Sequence, residues 1–272
     1  MRRRVGDSKS GATMAEAVGF VLPTYSLWRR EIIRFVRDRS RLYGSILQPA
    51  VLWILMGSGL RGSFVPLGGG DYLAYIYPGT LMLILLFTAI FSTISVVEDR
   101  REGFLQGVLV SPISSTSVAL GKIAGGTTMA VGEGLLFLVI APFVGFSLDV
   151  QTAVRTVVVL VAVGVGMTGL GFRIAWGMSS TAGFHAVMNL LLLPMWLLSG
   201  AFFPLVGVPV WLEWVMRINP MTYAMATLRW AMDGDNAMVD GLPDPGVCAV
   251  VTAGFSMAMV GWSIYVVGRR PT

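Results

Sequence analysis

The chain has 272 residues, of which 55% are hydrophobic and only 13% are charged, with a formal net charge of +5 and a mean hydropathy of +0.73. A soluble domain carries about a quarter charged residues, so this composition excludes an ordinary soluble protein. Runs such as LMLILLFTAIF and TVVVLVAVGV are apolar on every face, which predicts an all-α, polytopic membrane protein.

The first predicted element is an amphipathic helix that follows a short tail. Residues 1–23 begin with MRRR but lack the apolar core of a signal peptide, so they predict a flexible cytoplasmic tail. Residues 24–42, TYSLWRREIIRFVRDRSRL, place apolar side chains at helical spacing among Arg residues, which predicts a helix in the membrane interface. The residues expected to matter there are Trp28, Arg29, Arg30, Ile32, Arg34, Phe35 and Arg37. A simple anchor for the first span and a mechanical role both stay open.

Residues 43–272 are expected to form one six-helix transmembrane domain. The predicted spans cover residues 43–60, 72–97, 118–146, 152–175, 184–203 and 247–267. Six spans put both termini on one side, and sixteen of the 20 basic residues then fall on that side. The distribution of Lys and Arg identifies this side as the cytoplasm.

The loop between the second and third spans, EDRREGFLQGVLVSPISSTSVALGK (98–122), is conspicuously polar. Acidic residues at its start suit a helix dipole, and Phe104, Leu105, Val108 and Leu109 supply an apolar face. The helix is expected to end at Ser111-Pro112, since a residue before Pro disfavours helix. The pattern favours a short helix that docks into a cleft on a partner; a polar connector is the alternative.

A second interruption, residues 199–232, lies between the fifth and the last spans. Pro204, Pro209 and Pro220 break it too often for one more span, while its aromatic content is too high for an aqueous loop. We predict two short helices that re-enter the outer leaflet and pack against protein. The residues expected to form a gate or conduit there are Phe202, Phe203, Pro204, Asn219, Pro220, Tyr223 and Arg229.

Two polar residues fall within the predicted spans. Glu133 lies in the third span, and ionisable groups in the membrane usually face a cavity or a partner. It is therefore expected in the conduit or at a subunit contact, unless the span begins near Gly132 and leaves it at the interface. Asn189 in the fifth span is a candidate for the same conduit or for a structural hydrogen bond between helices.

Three ordered stretches resemble the permease subunits of ABC type-2 transporters, the group with daunorubicin-type drug, nodulation-factor and polysaccharide exporters. They are YIYPGTLMLILLFTAIFSTISVVEDRREGFLQGVLVSPISSTSVALGK (75–122), LLLPMWLLSGAFFPL (191–205) and INPMTYAMATLRW (218–230). The resemblance implies that residues 98–112 hold a coupling helix, which sits in a groove of an ATPase subunit. The residues that match the family's pattern are Glu98, Arg101, Glu102, Gly103, Leu105, Leu109 and Pro112. Phe104 departs from it, since the family often has Thr there.

No catalytic centre is expected on this chain. Its one Gly-Lys pair, Gly121-Lys122, is followed by Ile and is no phosphate loop. His185 is the sole His and the Asp residues fall in predicted tails and loops, so neither a nucleophile–base pair nor two membrane carboxylates are expected. We expect no enzyme activity, cofactor or metal here.

The resemblance implies a larger assembly. Two copies of an ATPase subunit would hold ATP and Mg, and a second permease would complete a homodimer or a heterodimer with a close homologue. Membrane lipid is a further expected partner, and nucleic acid is not. The expected function is to move an amphipathic or lipid-linked substrate, such as a drug, lipid, glycolipid or polysaccharide, outward across a bacterial plasma membrane. The alternative is an ion-gradient-driven secondary transporter.

Overall fold

The structure is a computed structural model that describes residues 6–59, 72–110, 113–234, 241 and 244–269. Within these residues it contains helices and no strand, as the all-α prediction requires. The α-helices are α1 (Gly6–Arg37), α2 (Arg39–Gly59), α3 (Tyr72–Ser92), α4 (Ile94–Arg101), α5 (Phe104–Val110), α6 (Ser115–Leu138), α7 (Val150–Trp176), α8 (Thr181–Trp196), α9 (Val210–Ile218), α10 (Pro220–Asp233) and α11 (Pro245–Gly268). A 3-10 turn (Ala141–Val144) follows α6 and a π-helical turn (Leu197–Ala201) extends α8.

Short polar side chains begin most of the later helices. Ser114, Asp149, Ser180, Asn219 and Asp244 each accept a hydrogen bond from a backbone N–H in the first turn of the helix that follows. Such caps satisfy backbone donors that have no partner within the helix. The boundaries of α6, α7, α8, α10 and α11 are therefore encoded locally.

In the described part of the chain, four helical segments are long and apolar enough to cross a membrane. They are Tyr72–Arg101, Val150–Trp176, Thr181–Ala201 and Pro245–Gly268, which correspond to the predicted second, fourth, fifth and sixth spans. The predicted first and third spans coincide with α2 and α6. The count of six spans and the side of the termini stay predictions.

Helix α3 forms the centre of the bundle. Leu81, Ile84, Leu85 and Leu86 are fully buried, and α3 packs against α2, α6, α7, α8 and α10. A helix that is apolar on every face must be surrounded, which explains its composition. By contrast, α8 and α11 leave apolar side chains such as Leu190 exposed at 79%, as suits contact with lipid.

Helix α1 differs from the predicted interfacial helix in length and in its buried face. It begins at Gly6, within the segment predicted as a flexible tail, and it lies along α6. Leu27, Glu31 and Phe35 form its buried face at helical spacing, so a carboxylate occupies the middle of this face. A Cβ atom at Gly125 of α6 would lie 2.7 Å from Glu31 Cβ, so the close approach of the two helices requires glycine.

The predicted coupling helix is divided in two. Glu98 and Arg101 belong to α4, which extends the α3 span, and the chain then turns at Glu102 and Gly103 into α5. Gly103 has a φ of +77°, a left-handed conformation that ends helices and favours glycine. The acidic residues therefore lie at the end of one helix rather than at the start of the next. Pro112 and the side chain of Leu109 lie outside the described part of the structure.

The two short helices predicted within residues 199–232 are present as α9 and α10. Helix α10 packs against α7 and α11 and beside the π-helical turn. Its buried position agrees with the expectation that this segment packs against protein. Its depth in a membrane stays a prediction.

Candidate functional site

A buried lysine on α6 joins three helices through its ammonium group. Lys122 Nζ donates hydrogen bonds to Glu31 Oε1 on α1 at 2.6 Å and to Ser95 Oγ on α4 at 3.2 Å. It also forms an ion pair with Asp99 on α4. The side chains of Lys122, Glu31 and Asp99 are 3%, 4% and 0% exposed, so salt screens these charges little.

Two arginines of α1 complete the cluster. Arg30 contacts Asp99 through two parallel hydrogen bonds, Nη2–Oδ1 at 2.7 Å and Nη1–Oδ2 at 2.9 Å. Arg34 bridges Asp99 Oδ1 at 3.1 Å and Glu98 Oε2 at 2.7 Å. The hydrogen bond to Asp99 raises the pKa of Arg30 above its ordinary value, so this guanidinium stays charged. The charge network is defined here as Arg30, Glu31, Arg34, Glu98, Asp99 and Lys122.

The charge network is electrically balanced, with three cations and three carboxylates. Removing one member of a buried ion pair leaves an uncompensated charge and costs about 3–5 kcal/mol. The network therefore holds α1, α4 and α6 together as one unit.

The helix α5 touches this unit through Phe104. The guanidinium carbon of Arg30 lies 3.9 Å from the centre of the Phe104 ring, a cation–π contact. Leu105 is only 3% exposed and belongs to the hydrophobic core. It therefore anchors α5 to its own chain, which differs from its predicted place on the face offered to a partner.

Apart from the contact with Arg30 and the buried side chain of Leu105, the turn and α5 are open. The exposed residues, defined here as the docking surface, are Arg101, Glu102, Phe104, Gln106, Gly107 and Val110. Phe104 is 36% and Val110 is 87% exposed. The surface combines apolar side chains with one charge of each sign, as protein contacts commonly do.

The other residues predicted for the interfacial helix divide into two groups. Trp28 Nε1 donates a hydrogen bond to Thr128 Oγ1 of α6 at 3.0 Å, and Ile32 is half-buried. Phe35 is buried, while Arg29 and Arg37 are exposed. Contact of these two exposed arginines with anionic lipid stays a prediction.

Glu133 is a buried carboxylate deep within α6. It is 2% exposed, accepts a hydrogen bond from Ser45 Oγ of α2 at 2.5 Å and is bonded to Thr88 of α3. Helix α6 begins at Ser115, so Glu133 lies well inside the helix rather than at its start. The depth of Glu133 in a membrane stays a prediction.

A cavity of about 490 Å³ lies beside Glu133, between α1, α2, α3, α4 and α8. Ser45 and Thr88, which contact Glu133, also line the cavity, and so does Asn189. Of the two predicted polar span residues, Asn189 therefore lies on the cavity wall, and Glu133 lies behind Ser45 and Thr88. The predicted gate residues lie elsewhere.

The gate residues surround a break at the end of α8. Leu198 and Gly200 have non-helical backbone angles there, with a φ of +83° at Gly200. Asn219 Nδ2 donates hydrogen bonds to the carbonyl oxygens of Met195 at 2.7 Å and Leu198 at 3.1 Å. The side chain of Asn219 thereby satisfies carbonyl groups at the break, while its oxygen accepts from Met221 N at the start of α10.

Arg229 ties the same break to α3. Its Nη2 donates to the carbonyl of Gly200 at 3.2 Å, and its guanidinium carbon lies 4.3 Å from the centre of the Tyr75 ring. Trp196 Nε1 donates to the carbonyl of Gly79 at 2.7 Å. The three sequence stretches that carry the family resemblance therefore meet at this point.

The remaining gate residues pack around this junction. Phe202, Phe203 and Pro204 are half-buried after the break, with the Phe202 ring 6.4 Å from Trp196. Pro220 opens α10. Tyr223 Oη donates to the carbonyl of Arg217 at 2.9 Å and so joins α10 to α9.

Glu31, Asp99 and Lys122 are members of the charge network that sequence reasoning missed. Asp99 was expected in a loop, yet it lies in a helix and is fully buried. A signal existed in α1, where Glu31 shares a helical stripe with the apolar residues Leu27 and Phe35. Among the described residues, no group of three or more His, Cys, Asp or Glu is placed to hold a metal ion.

The long apolar helices, with a polar helical turn exposed at one end, define a polytopic membrane protein. Comparison with protein families is specific: the model of the ABC-2 type transporter family matches residues 23–232. The chain therefore belongs to this family, and the resemblance found in its sequence is confirmed.

Individual relatives agree with this membership. The chain is 25% identical to Nodulation protein J of Rhizobium leguminosarum bv. trifolii, over 83% of this chain and 87% of the relative. It is also 25% identical to the Inner membrane transport permease YadH of Escherichia coli K12, over 90% and 94%. A Putative transport permease ycf38 of Cyanophora paradoxa matches at 25% over 78% and 74%. The chain is thus a transport permease by family.

Proposed function

We propose that this chain is the permease subunit of an ATP-binding-cassette exporter that moves an amphipathic or lipid-linked substrate outward. ATP would be hydrolysed, with Mg, by two copies of a separate ATPase subunit. The observation that carries the proposal is the position of α5. The exposed residues of this helix belong to the docking surface, and one of them, Phe104, also contacts Arg30 of the charge network, whose guanidinium carbon lies 3.9 Å from the centre of its ring.

This geometry supports a mechanical role for the charge network. A partner that pushes on α5 also pushes on α1 through Phe104 and Arg30. Since the buried ion pairs resist separation, α1, α4 and α6 would move together. The α3 span continues into α4 after the turn at Thr93, so the movement would reach the centre of the bundle.

The relatives support the setting of this assembly. YadH is named an inner membrane transport permease, and we propose the same location for this chain, with both termini in the cytoplasm. The clustering of basic residues near α1 and α4 favours this orientation. A second permease, identical or closely related, would complete the path. Drug, lipid, glycolipid and polysaccharide substrates all fit this layout.

Purification of the tagged chain from its native membrane in a mild detergent tests the proposal. We expect mass spectrometry to find a stoichiometric companion with a Gly-x-x-x-x-Gly-Lys-Ser/Thr loop. If the chain emerges alone and transports without ATP in vesicles that carry an ion gradient, the secondary-transporter alternative replaces this proposal. Glu133 would then be the first ion-binding candidate.

A further inference from the structure

A groove on the surface of α1 is lined by four arginines. Arg29, Arg30, Arg34 and Arg37 surround it, and its volume is about 580 Å³. Among its lining residues that the structure describes there is no Asp or Glu. The neighbouring Asp38 lines the cavity between α1, α2 and α8 instead. We call this site the arginine groove, and the described charges on its wall are all positive.

Only two of these four arginines are paired inside the protein. Arg30 and Arg34 form ion pairs within the charge network. Arg29 and Arg37 are exposed, and neither forms an ion pair with a carboxylate of the described residues. In this part of the chain, the arginine groove therefore offers two positive charges to a ligand.

The chemistry of the arginine groove suits a phosphate group. A guanidinium group can bind phosphate through two parallel hydrogen bonds. Arg29 and Arg37 are eight residues apart, or about 12 Å along a helix, and their long side chains line the same groove. The hydroxyl group of Ser26, which also lines the groove, is a further donor. One phosphate between the two arginines would satisfy both charges.

Apolar side chains lie among these arginines on the wall of the groove. Leu22 and Tyr25 line it and are 61% and 53% exposed, and Ile33 lines it as well. A free phosphate ion has no apolar part to cover these side chains, whereas a phospholipid carries acyl chains beside its phosphate. Helix α1 also packs along α6, the predicted third span. The arrangement therefore favours a lipid over a soluble anion.

We propose that the arginine groove binds one anionic phospholipid. Its phosphate would lie between Arg29 and Arg37, and an acyl chain would cover Leu22 and Ile33. This goes beyond a general contact of α1 with a charged membrane surface, because a discrete groove takes up one lipid saturably. It is also independent of the exporter proposal. Since Arg30 lines the same groove, the bound headgroup would lie beside the charge network.

The binding test compares two lipids that share their acyl chains and differ in charge. Dioleoylphosphatidylglycerol is an anion and dioleoylphosphatidylcholine is a zwitterion. Native mass spectrometry would count the lipid molecules retained by the full chain, with any companion protein, as each lipid is added in detergent. We expect the first phosphatidylglycerol to bind about tenfold more tightly than phosphatidylcholine, from two arginines near one phosphate. An equal concentration of inorganic phosphate should not displace it.

Three variants that each remove one positive charge supply the matched comparison. Arg29→Gln and Arg37→Gln alter exposed side chains of the groove, so the fold should persist. Each should weaken the binding of phosphatidylglycerol by about fivefold. Arg101→Gln is the control, since Arg101 is exposed on the docking surface and does not line the groove. It should leave lipid binding unchanged.

Four outcomes would overturn the inference. Equal binding of the two lipids would remove the role of charge, and an equal loss in Arg101→Gln would show diffuse attraction instead of a site. Displacement of the lipid by inorganic phosphate would make the groove a site for the free ion. Loss of a companion protein from the Arg29 and Arg37 variants, with lipid binding unchanged, would assign the groove to a protein contact. None of these outcomes depends on whether the companion is an ATPase, so the exporter proposal is tested separately.

Discussion

At the scale of single residues, the charge network joins α1, α4 and α6 through ion pairs between largely buried side chains. Lys122 is the member that contacts both α1 and α4, through Glu31 and Asp99. Substitution of Lys122 by Met would remove the ammonium group that pairs with the buried Glu31 carboxylate. Arg30, whose Nη1 lies 3.3 Å from Glu31 Oε1, would compensate part of the charge of that carboxylate.

We predict that Lys122→Met lowers the stability of the chain by about 3–5 kcal/mol, the cost of an unpaired buried charge. Glu31→Gln combined with Lys122→Met should lose less than the sum of the two single changes, because the pair is removed together. Thermal unfolding of the purified chain in detergent measures all three variants. Strict additivity would show that the two side chains do not interact.

Asn219 offers a second test, since its amide has two separable roles. The oxygen caps α10, and the nitrogen donates to Met195 and Leu198 at the break in α8. Asn219→Asp retains the cap but points a carboxylate at two carbonyl oxygens. We therefore predict that Asp is no better tolerated than Ala, with a loss of about 1–3 kcal/mol for unmet polar groups.

The accumulation and unfolding temperature of the membrane-inserted Asn219 variants give the measurement. Wild-type behaviour of Asn219→Asp, together with damage in Asn219→Ala, would mean that capping alone matters. The bond across to α8 would then be incidental.

At the scale of helices, the contact between α1 and α6 depends on residues without a side chain. A Cβ atom at Gly125 would press on Glu31 Cβ at 2.7 Å, whereas a Cβ atom at Gly132 of the same helix meets nothing within 4 Å. We predict that Gly125→Ala loosens α1, seen as faster hydrogen exchange at the amides of residues 20–36. Gly132→Ala, the control, should leave that exchange unchanged. Equal exchange in both variants would contradict the close packing.

Local signals explain which elements could be predicted from the sequence. The length of the apolar runs predicted the positions of α3, α7, α8 and α11. Asn219 and Pro220 were the signal for the boundary between α9 and α10. The break after Arg101 was missed, because acidic residues followed by an apolar stripe resemble one helix and the left-handed Gly103 was read as part of it. The presence of Gly103 was the available signal for two helices.

The charge network could not be predicted in the same way. Glu31 and Lys122 are 91 positions apart in the chain, and their pairing depends on how α1 lies on α6. Six arginines near one glutamate suggested a surface in contact with lipid headgroups. The packing instead turns Arg30 and Arg34 toward the protein and leaves Arg29 and Arg37 exposed.

At the scale of the whole molecule, two polar clusters lie far apart on one continuous span. Asp99 belongs to the charge network, and Gly79 belongs to the junction at the end of α8. Twenty residues of helix separate them, or about 30 Å at 1.5 Å per residue. The cavity beside Glu133 lies along this span between them, since Phe87 and Phe91 line it. In this order, a movement that begins at α5 would change the shape of the cavity before it displaces the junction at the end of α8.

The most direct measurement of this path is a photo-cross-link from α5 in the native membrane. The photoreactive amino acid p-benzoylphenylalanine would replace Val110 on the docking surface, which is 87% exposed, and in a second chain Trp211 of α9, which is 68% exposed. We predict that the probe at Val110 captures a protein with a Gly-x-x-x-x-Gly-Lys-Ser/Thr loop and that the probe at Trp211 does not. Capture of that protein from Trp211 alone, or no such capture from Val110, would contradict the assignment of α5 as the point where the ATPase acts.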